Sequence, residues 1–262
     1  MRNLPVLMYH RITENGEGEP SDYVINVNVF ERQLSYFQKH GYYTPSLADV
    51  LRREGSHAHG NKPLLITFDD GYLDTLEIAA PLLKRYGFLA IVFIIPNFGL
   101  TTNAWDAAKG IPEARLMDKN QVLDLRAMGI EIGVHTLSHP SLPRLGEDEL
   151  KRELRDCKKA AEDLLREAII SIAYPYGDVD ERVMAATQEA GYLCAFATNS
   201  GPMFFHDALF RIRRTIISSS SNGLYLLLKV SGVEKACRIG WSSVKKSVCF
   251  ILPQRESHTG VP

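Results

Sequence analysis

Short apolar runs alternate with amphipathic stretches along most of the chain. The first run, residues 4–9, predicts a buried strand and leads straight into His10 and Arg11. Residues 11–26 (RITENGEGEPSDYVIN) are polar and rich in turn formers, which predicts a long loop beside a strand end. Over residues 29–40, Val29, Phe30, Leu34, Tyr36 and Phe37 fall at helical spacing, and Gly41 supplies a stop. Ser46 is placed to cap a short helix over residues 47–53, and residues 55–61 form a turn-rich connection. From there the alternation becomes regular. Strands are predicted at residues 63–68, 90–95, 131–134, 169–173, 192–197 and 209–217. Helices are predicted at residues 73–86, 118–128, 147–167 and 181–190, and a second loop, residues 96–112, carries Trp105. The run AIVFII at 90–95 has no polar residue, as expected of a strand buried on both faces.

Strand–helix alternation over this length implies an α/β fold with a parallel sheet and helices outside it. Seven such units are enough to close a barrel. In barrels and open parallel sheets alike, chemistry gathers at the carboxyl ends of the strands. Each candidate motif can therefore be tested by whether it follows a strand.

Three motifs pass that test. TFDDG, residues 67–71, puts Asp69 and Asp70 directly after an apolar strand, where two neighbouring carboxylates need a cation or a proton between them. As a turn alone, Asp-Asp-Gly is common. HTLSHP, residues 135–140, follows the strand EIGV and spaces His135 and His139 four apart, so one helical turn would aim both rings at one point. Two imidazoles and a carboxylate leave a coordination position open for water, the arrangement of a catalytic rather than a structural ion site. AYPYG, residues 173–177, makes a rigid aromatic turn suited to walling a pocket and directing a backbone N–H inward. His10, taken by itself, reads as a satisfied histidine at a strand end.

Composition narrows the picture further. The chain has 262 residues, 45% hydrophobic and 23% charged, ample for a sizeable core, and its net charge of −1 gives no nucleic-acid footprint. Cys157, Cys194, Cys237 and Cys249 are widely spaced, which points to free thiols in a reducing compartment. No secretory hydrophobic region and no run of transmembrane length is visible. With Met1 as native start, the expected location is cytoplasmic.

TFDDG, HTLSHP and YPYG, in that order, resemble the polysaccharide deacetylases, the NodB-homology or carbohydrate esterase family 4 group. The resemblance covers roughly residues 4–215. It implies a distorted (β/α)7 barrel that removes N-acetyl groups from amino sugars with one bound divalent metal. Zinc suits the Asp/His/His set, and cobalt, nickel, iron or manganese can occupy the same ligands. By position, Asp70, His135 and His139 resemble the metal ligands and Asp69 the base, with the backbone N–H of Tyr176 on the oxyanion. The family's general acid is a histidine in a Leu-x-His motif near the carboxyl end, and none follows TFDDG here. His206 and His258 lack that setting. LMYH, residues 7–10, is similar instead to circularly permuted exopolysaccharide deacetylases, in which the last strand stands first; the resemblance then makes His10 the acid. The family's third motif also carries an arginine where this chain has Ala173, so Asp69 needs another partner. Arg211 and Arg213, on one face of the strand LFRIRRT and opposite Ile212, are the candidates, with exposed edge-strand arginines as the alternative.

The expected organisation is one barrel domain, residues 1–221, followed by a helical, basic extension, residues 222–262. Residues 224–230 (LYLLLKV) with Lys229, Lys235, Arg238, Lys245 and Lys246 predict a helix packed on the barrel or, alternatively, a peripheral contact with an anionic membrane. The expected partner is an N-acetylated amino sugar. Two other functions fit the sequence. One is a glycan-binding barrel without activity, supported only by the missing arginine at 173. The other is a hydrolase of a non-sugar amide.

Overall fold

The structure, a computed structural model, describes residues 4–14, 23–52, 62–109, 111–198 and 208–218. The basic extension at 222–262, the turn at 55–61, His206, His258, Cys237 and Cys249 lie outside the described residues.

Seven parallel strands form the wall: β1 (Val6–Tyr9), β2 (Leu65–Phe68), β3 (Ile91–Ile94), β4 (Glu131–Val134), β5 (Ser171–Ala173), β6 (Cys194–Phe196) and β7 (Thr215–Ile216). Their order is β6-β5-β4-β3-β2-β1-β7. The opening strand therefore lies between β2, which leads into the Asp pair, and β7. The segment before β7 also reaches the other edge: Ile212 bridges Phe196, and Ala195 N and Ala197 N donate to Leu209 O and Ile212 O at 2.7 Å each. The sheet thus curls round on itself with the strand order of a (β/α)7 barrel.

Helices cover the outside: α1 (Val27–Lys39), α2 (Leu47–Arg52), α3 (Ala80–Tyr86), α4 (Lys119–Ala127), α5 (Glu147–Leu165) and α6 (Glu181–Glu189). Asp118 and Gln121 form a reciprocal capping box at the start of α4, and Asp180 caps α6 through Val183 N at 2.8 Å. The helix expected over 73–86 is broken in two. A π-helical turn, Thr75–Ala79, precedes α3, because Pro81 has no N–H to continue the α ladder.

Successive strand residues alternate between two cores. Leu7, Tyr9, Ile66, Phe68, Val92 and Ile94 pack outward beneath the helices. Val6, Leu65, Ile91, Phe93, Phe196 and Ile212 fill the barrel interior. This double burial is why 90–95 needs no polar residue. Gly133 on β4 makes room for one interior ring, since a Cβ there would stand 2.5 Å from the Phe93 side chain.

Two expectations need correction. Residues 11–26 are not wholly loop: Arg11–Thr13 and Val24–Asn26 pair as a small parallel sheet beyond β1. The last predicted strand, 209–217, is regular only at Thr215–Ile216. Its upstream part bends to serve two neighbours and loses a continuous ladder. Among the described residues no helix is long and apolar enough to cross a membrane.

Candidate active site

The carboxyl ends of β1, β2, β4 and β5 bring His10, Asp69, Asp70, His135, His139 and Tyr176 to one mouth. Asp70, His135 and His139 are all buried, and their ligand atoms lie within 4.8 Å of one another. Asp70 Oδ1 stands 3.4 Å from Nε2 of each histidine. His135 Nδ1 lies 2.8 Å from the carbonyl of Ala173. A carbonyl only accepts, so Nδ1 carries the hydrogen and Nε2 turns its lone pair toward Asp70. Burial pushes the His135 imidazole down to about 4, so it is neutral near pH 7. The buried Asp70 Oδ1 has no hydrogen-bond partner among the described residues. Burial would raise its pKa, but His139, His135 and His10 outweigh that and hold it well below the carboxylate range. An anionic oxygen and a ring lone pair aimed at one point, with no hydrogen between them, fit a divalent cation.

The HTLSHP segment is not the helical turn expected from its spacing. Thr136 and His139 adopt left-handed φ of 66° and 61°, and Asp70 and Tyr176 do likewise at 71° and 61°. Side-chain-bearing residues hold that conformation at a cost of about 1 kcal/mol or more each, so four of them around one site mark stored strain.

Asp69 is held by an arginine. Its Oδ1 and Oδ2 accept from Nη1 and Nη2 of Arg214 at 2.5 and 2.7 Å. The guanidinium is fully buried, with Nε donating to Ala197 O at 3.2 Å and Nη1 also reaching Thr67 Oγ1. Its carbon lies 5.5 Å from the Phe93 ring centre and 6.0 Å from that of Phe196. Burial would raise the Asp69 pKa, but Arg214, His135 and His10 together keep it below the ordinary value. Asp69 is a fixed anion beside the three ligands.

His10 is nearly buried, and the Tyr23 ring packs edge-on against it at 4.8 Å. Its Nδ1 is buried without a hydrogen-bond partner among the described residues. The next residue fixes its place: Arg11 Nε donates to Asp74 Oδ2 at 2.9 Å, tying the end of β1 to the turn after TFDDG.

The chain is similar to known proteins. A family profile described as polysaccharide deacetylase matches residues 56–195, more than half of the chain. The chain belongs to the polysaccharide deacetylase family. It is 28% identical over 222 residues to YxkH of Bacillus subtilis, a protein assigned as a polysaccharide deacetylase, covering 84% of this chain and 73% of that one. It is 21% identical over 235 residues to the poly-beta-1,6-N-acetyl-D-glucosamine N-deacetylase of Staphylococcus aureus, covering 82% and 79%. Among solved structures, the Streptococcus pyogenes deacetylase PplD in complex with acetate aligns with a TM-score of 0.74 at 25% identity, over 87% of this chain and 98% of that one. IcaB from Ammonifex degensii shares the fold at a TM-score of 0.69 and 21% identity, over 84% and 94%.

Within this deacetylase barrel, the partner of Asp69 is neither Arg211 nor Arg213. Arg213 is exposed and Arg211 half-buried, with its Nε unpartnered among the described residues. The alternation was legible: Ile212 points into the barrel, and Arg214, two residues on, shares its side. Arg211 and Arg213 face the other way. Length matters too. Thr215 is level with Ile66 through Leu7, so a side chain starting at Arg214 must climb past several residues to reach Asp69. Ala173 lies in the same interior cluster as Phe93 and Phe196, the rings that flank the guanidinium. Tyr176 also does more than the sequence suggests. Its hydroxyl lies 3.1 Å from His139 Nδ1, so the side chain orients the second histidine.

Proposed function

We propose that this chain is a metal-dependent N-deacetylase acting on an N-acetylated amino sugar of a glycan or glycan precursor. The observation that carries the reading is the buried Asp70–His135–His139 set, with its unpartnered carboxylate oxygen, beside the Asp69–Arg214 pair. Those three side chains would hold the metal, zinc by the chemistry of its donors, which supplies a polarised acetyl carbonyl and an acidified water. Asp69, kept anionic by Arg214, accepts the proton of the attacking water. The backbone N–H of Tyr176 supports the oxyanion as the carbonyl becomes tetrahedral. His10 then gives a proton to the departing amine. Arg214 supplies the base partner whose absence at Ala173 was the one argument for an inactive glycan-binding barrel. A cytoplasmic setting is part of this proposal; the alternative to a barrel-packed helix for residues 222–262, a peripheral contact with an anionic membrane, would suit a lipid-linked substrate.

The test is acetate release from a panel of nucleotide-linked, lipid-linked and oligomeric N-acetyl sugars by the metal-replete protein. Release from at least one class, abolished by chelation and restored by zinc, is expected. No release from any class would sink the reading. In the same assay His10→Ala is expected to lower turnover about 10²–10⁴-fold while leaving metal content unchanged. Unchanged turnover would return His10 to a structural role.

A further inference from the structure

We infer that Glu153 is a positioning residue for the metal ligands, acting from α5 on the backbone between His135 and His139. This rests on the metal-site reading above and adds to it a residue outside all three motifs. Glu153 Oε2 accepts from two successive main-chain N–H groups, Leu137 at 2.7 Å and Ser138 at 3.0 Å. Its Oε1 accepts from Ser138 Oγ at 2.5 Å. One carboxylate therefore takes three donors from the middle of a loop whose two ends are the ligands.

The loop needs such a hold. It carries two left-handed residues, Thr136 and His139, in four positions. Its ends are tied separately, His135 N to Ile94 O at 2.7 Å and His139 N to Thr136 Oγ1 at 3.1 Å. The second bond closes a turn over Leu137 and Ser138 within the loop, and neither bond ties those two residues to another element. Paired N–H groups aimed at one point make an anion cradle, and here the anion is supplied by the protein itself. Hydrogen bonds to a carboxylate are about twice as strong as neutral ones, so this charge adds to the packing of Leu137 on the outer core in holding the strained path. Glu153 sits on the flank of α5, next to Leu154, which is buried against the sheet, so the helix transmits the position of the wall to the loop. In the sequence it is one charge among many on an amphipathic helix.

The test compares wild type, Glu153→Ala and Glu153→Gln by zinc competition against a chromogenic chelator, with apo-protein melting followed by circular dichroism. Outer partners of metal ligands typically contribute about 10–100-fold to affinity, and a loss of that size is expected for Glu153→Ala. Glu153→Gln keeps one acceptor oxygen and should fall between. A role in folding alone would lower the apo melting temperature and leave the zinc affinity of the folded protein unchanged in both variants. That result overturns the inference while leaving the metal site standing. Failure of the wild type to bind zinc would remove the metal-site reading, and this inference with it.

Discussion

Arg214→Met is expected to lose about 3–5 kcal/mol of stability, the usual result of stripping one partner from a buried ion pair. The remaining carboxylate of Asp69 would stand buried without its two-pronged partner. Chemical denaturation with the wild type alongside measures this, and a loss below about 1 kcal/mol would show that the pair is not the buried anchor described here. Activity should fall as well, with a direction in pH that separates the electrostatic role from general loosening. In the native protein the Asp69 pKa is depressed. The group therefore contributes stability above the ordinary carboxylate pKa of about 4, and that contribution is lost as pH falls through the lower folded value. Without Arg214, burial is opposed only by His135 and His10, the Asp69 pKa rises, and the acid limb of the pH–activity profile moves to higher pH. Arg214→Lys keeps the charge but not the two-pronged contact, so it should fall between wild type and Met.

The second large effect is at Asp69 itself. Asp69→Asn should cut turnover by about 10²–10⁴-fold, the contribution of a positioned general base. Metal content should stay at the wild-type level, because Asp70, His135 and His139 form the ligand set without it. Paired measurements of acetate release and bound metal decide the matter. Retained turnover in the metal-replete variant would remove Asp69 from the role of base. Loss of metal together with turnover would instead place it among the ligands.

Much of the wall was legible in the sequence because strands buried on both faces leave a simple trace. PLLITF, AIVFII and EIGV each appear as strands within a residue or two of their expected limits. The site motifs were legible for a related reason: they follow strand ends, where a parallel barrel concentrates chemistry. What sequence alone missed depends on long-range geometry. Arg214 and Asp69 are 145 residues apart, and they meet because β7 stands one strand away from β2 across β1. The segment 209–217 was read as a regular strand, whereas Ile212 bridges β6 and Thr215 pairs with β1. Local periodicity does not report such a handover. The histidine loop was read by spacing as a helical turn, but its left-handed residues converge the rings along another path.

The bond from His135 Nδ1 to the carbonyl of Ala173 carries a wider consequence. Every amino acid supplies that carbonyl, so no substitution at position 173 can delete the acceptor that sets the histidine's tautomer. The main chain there is committed to the imidazole, while the side chain is left at liberty. An arginine can be absent from the position and its duty taken up by another strand without any change in which ring nitrogen faces Asp70. The site thus separates what must stay from what can drift, giving the first to backbone and the second to side chain.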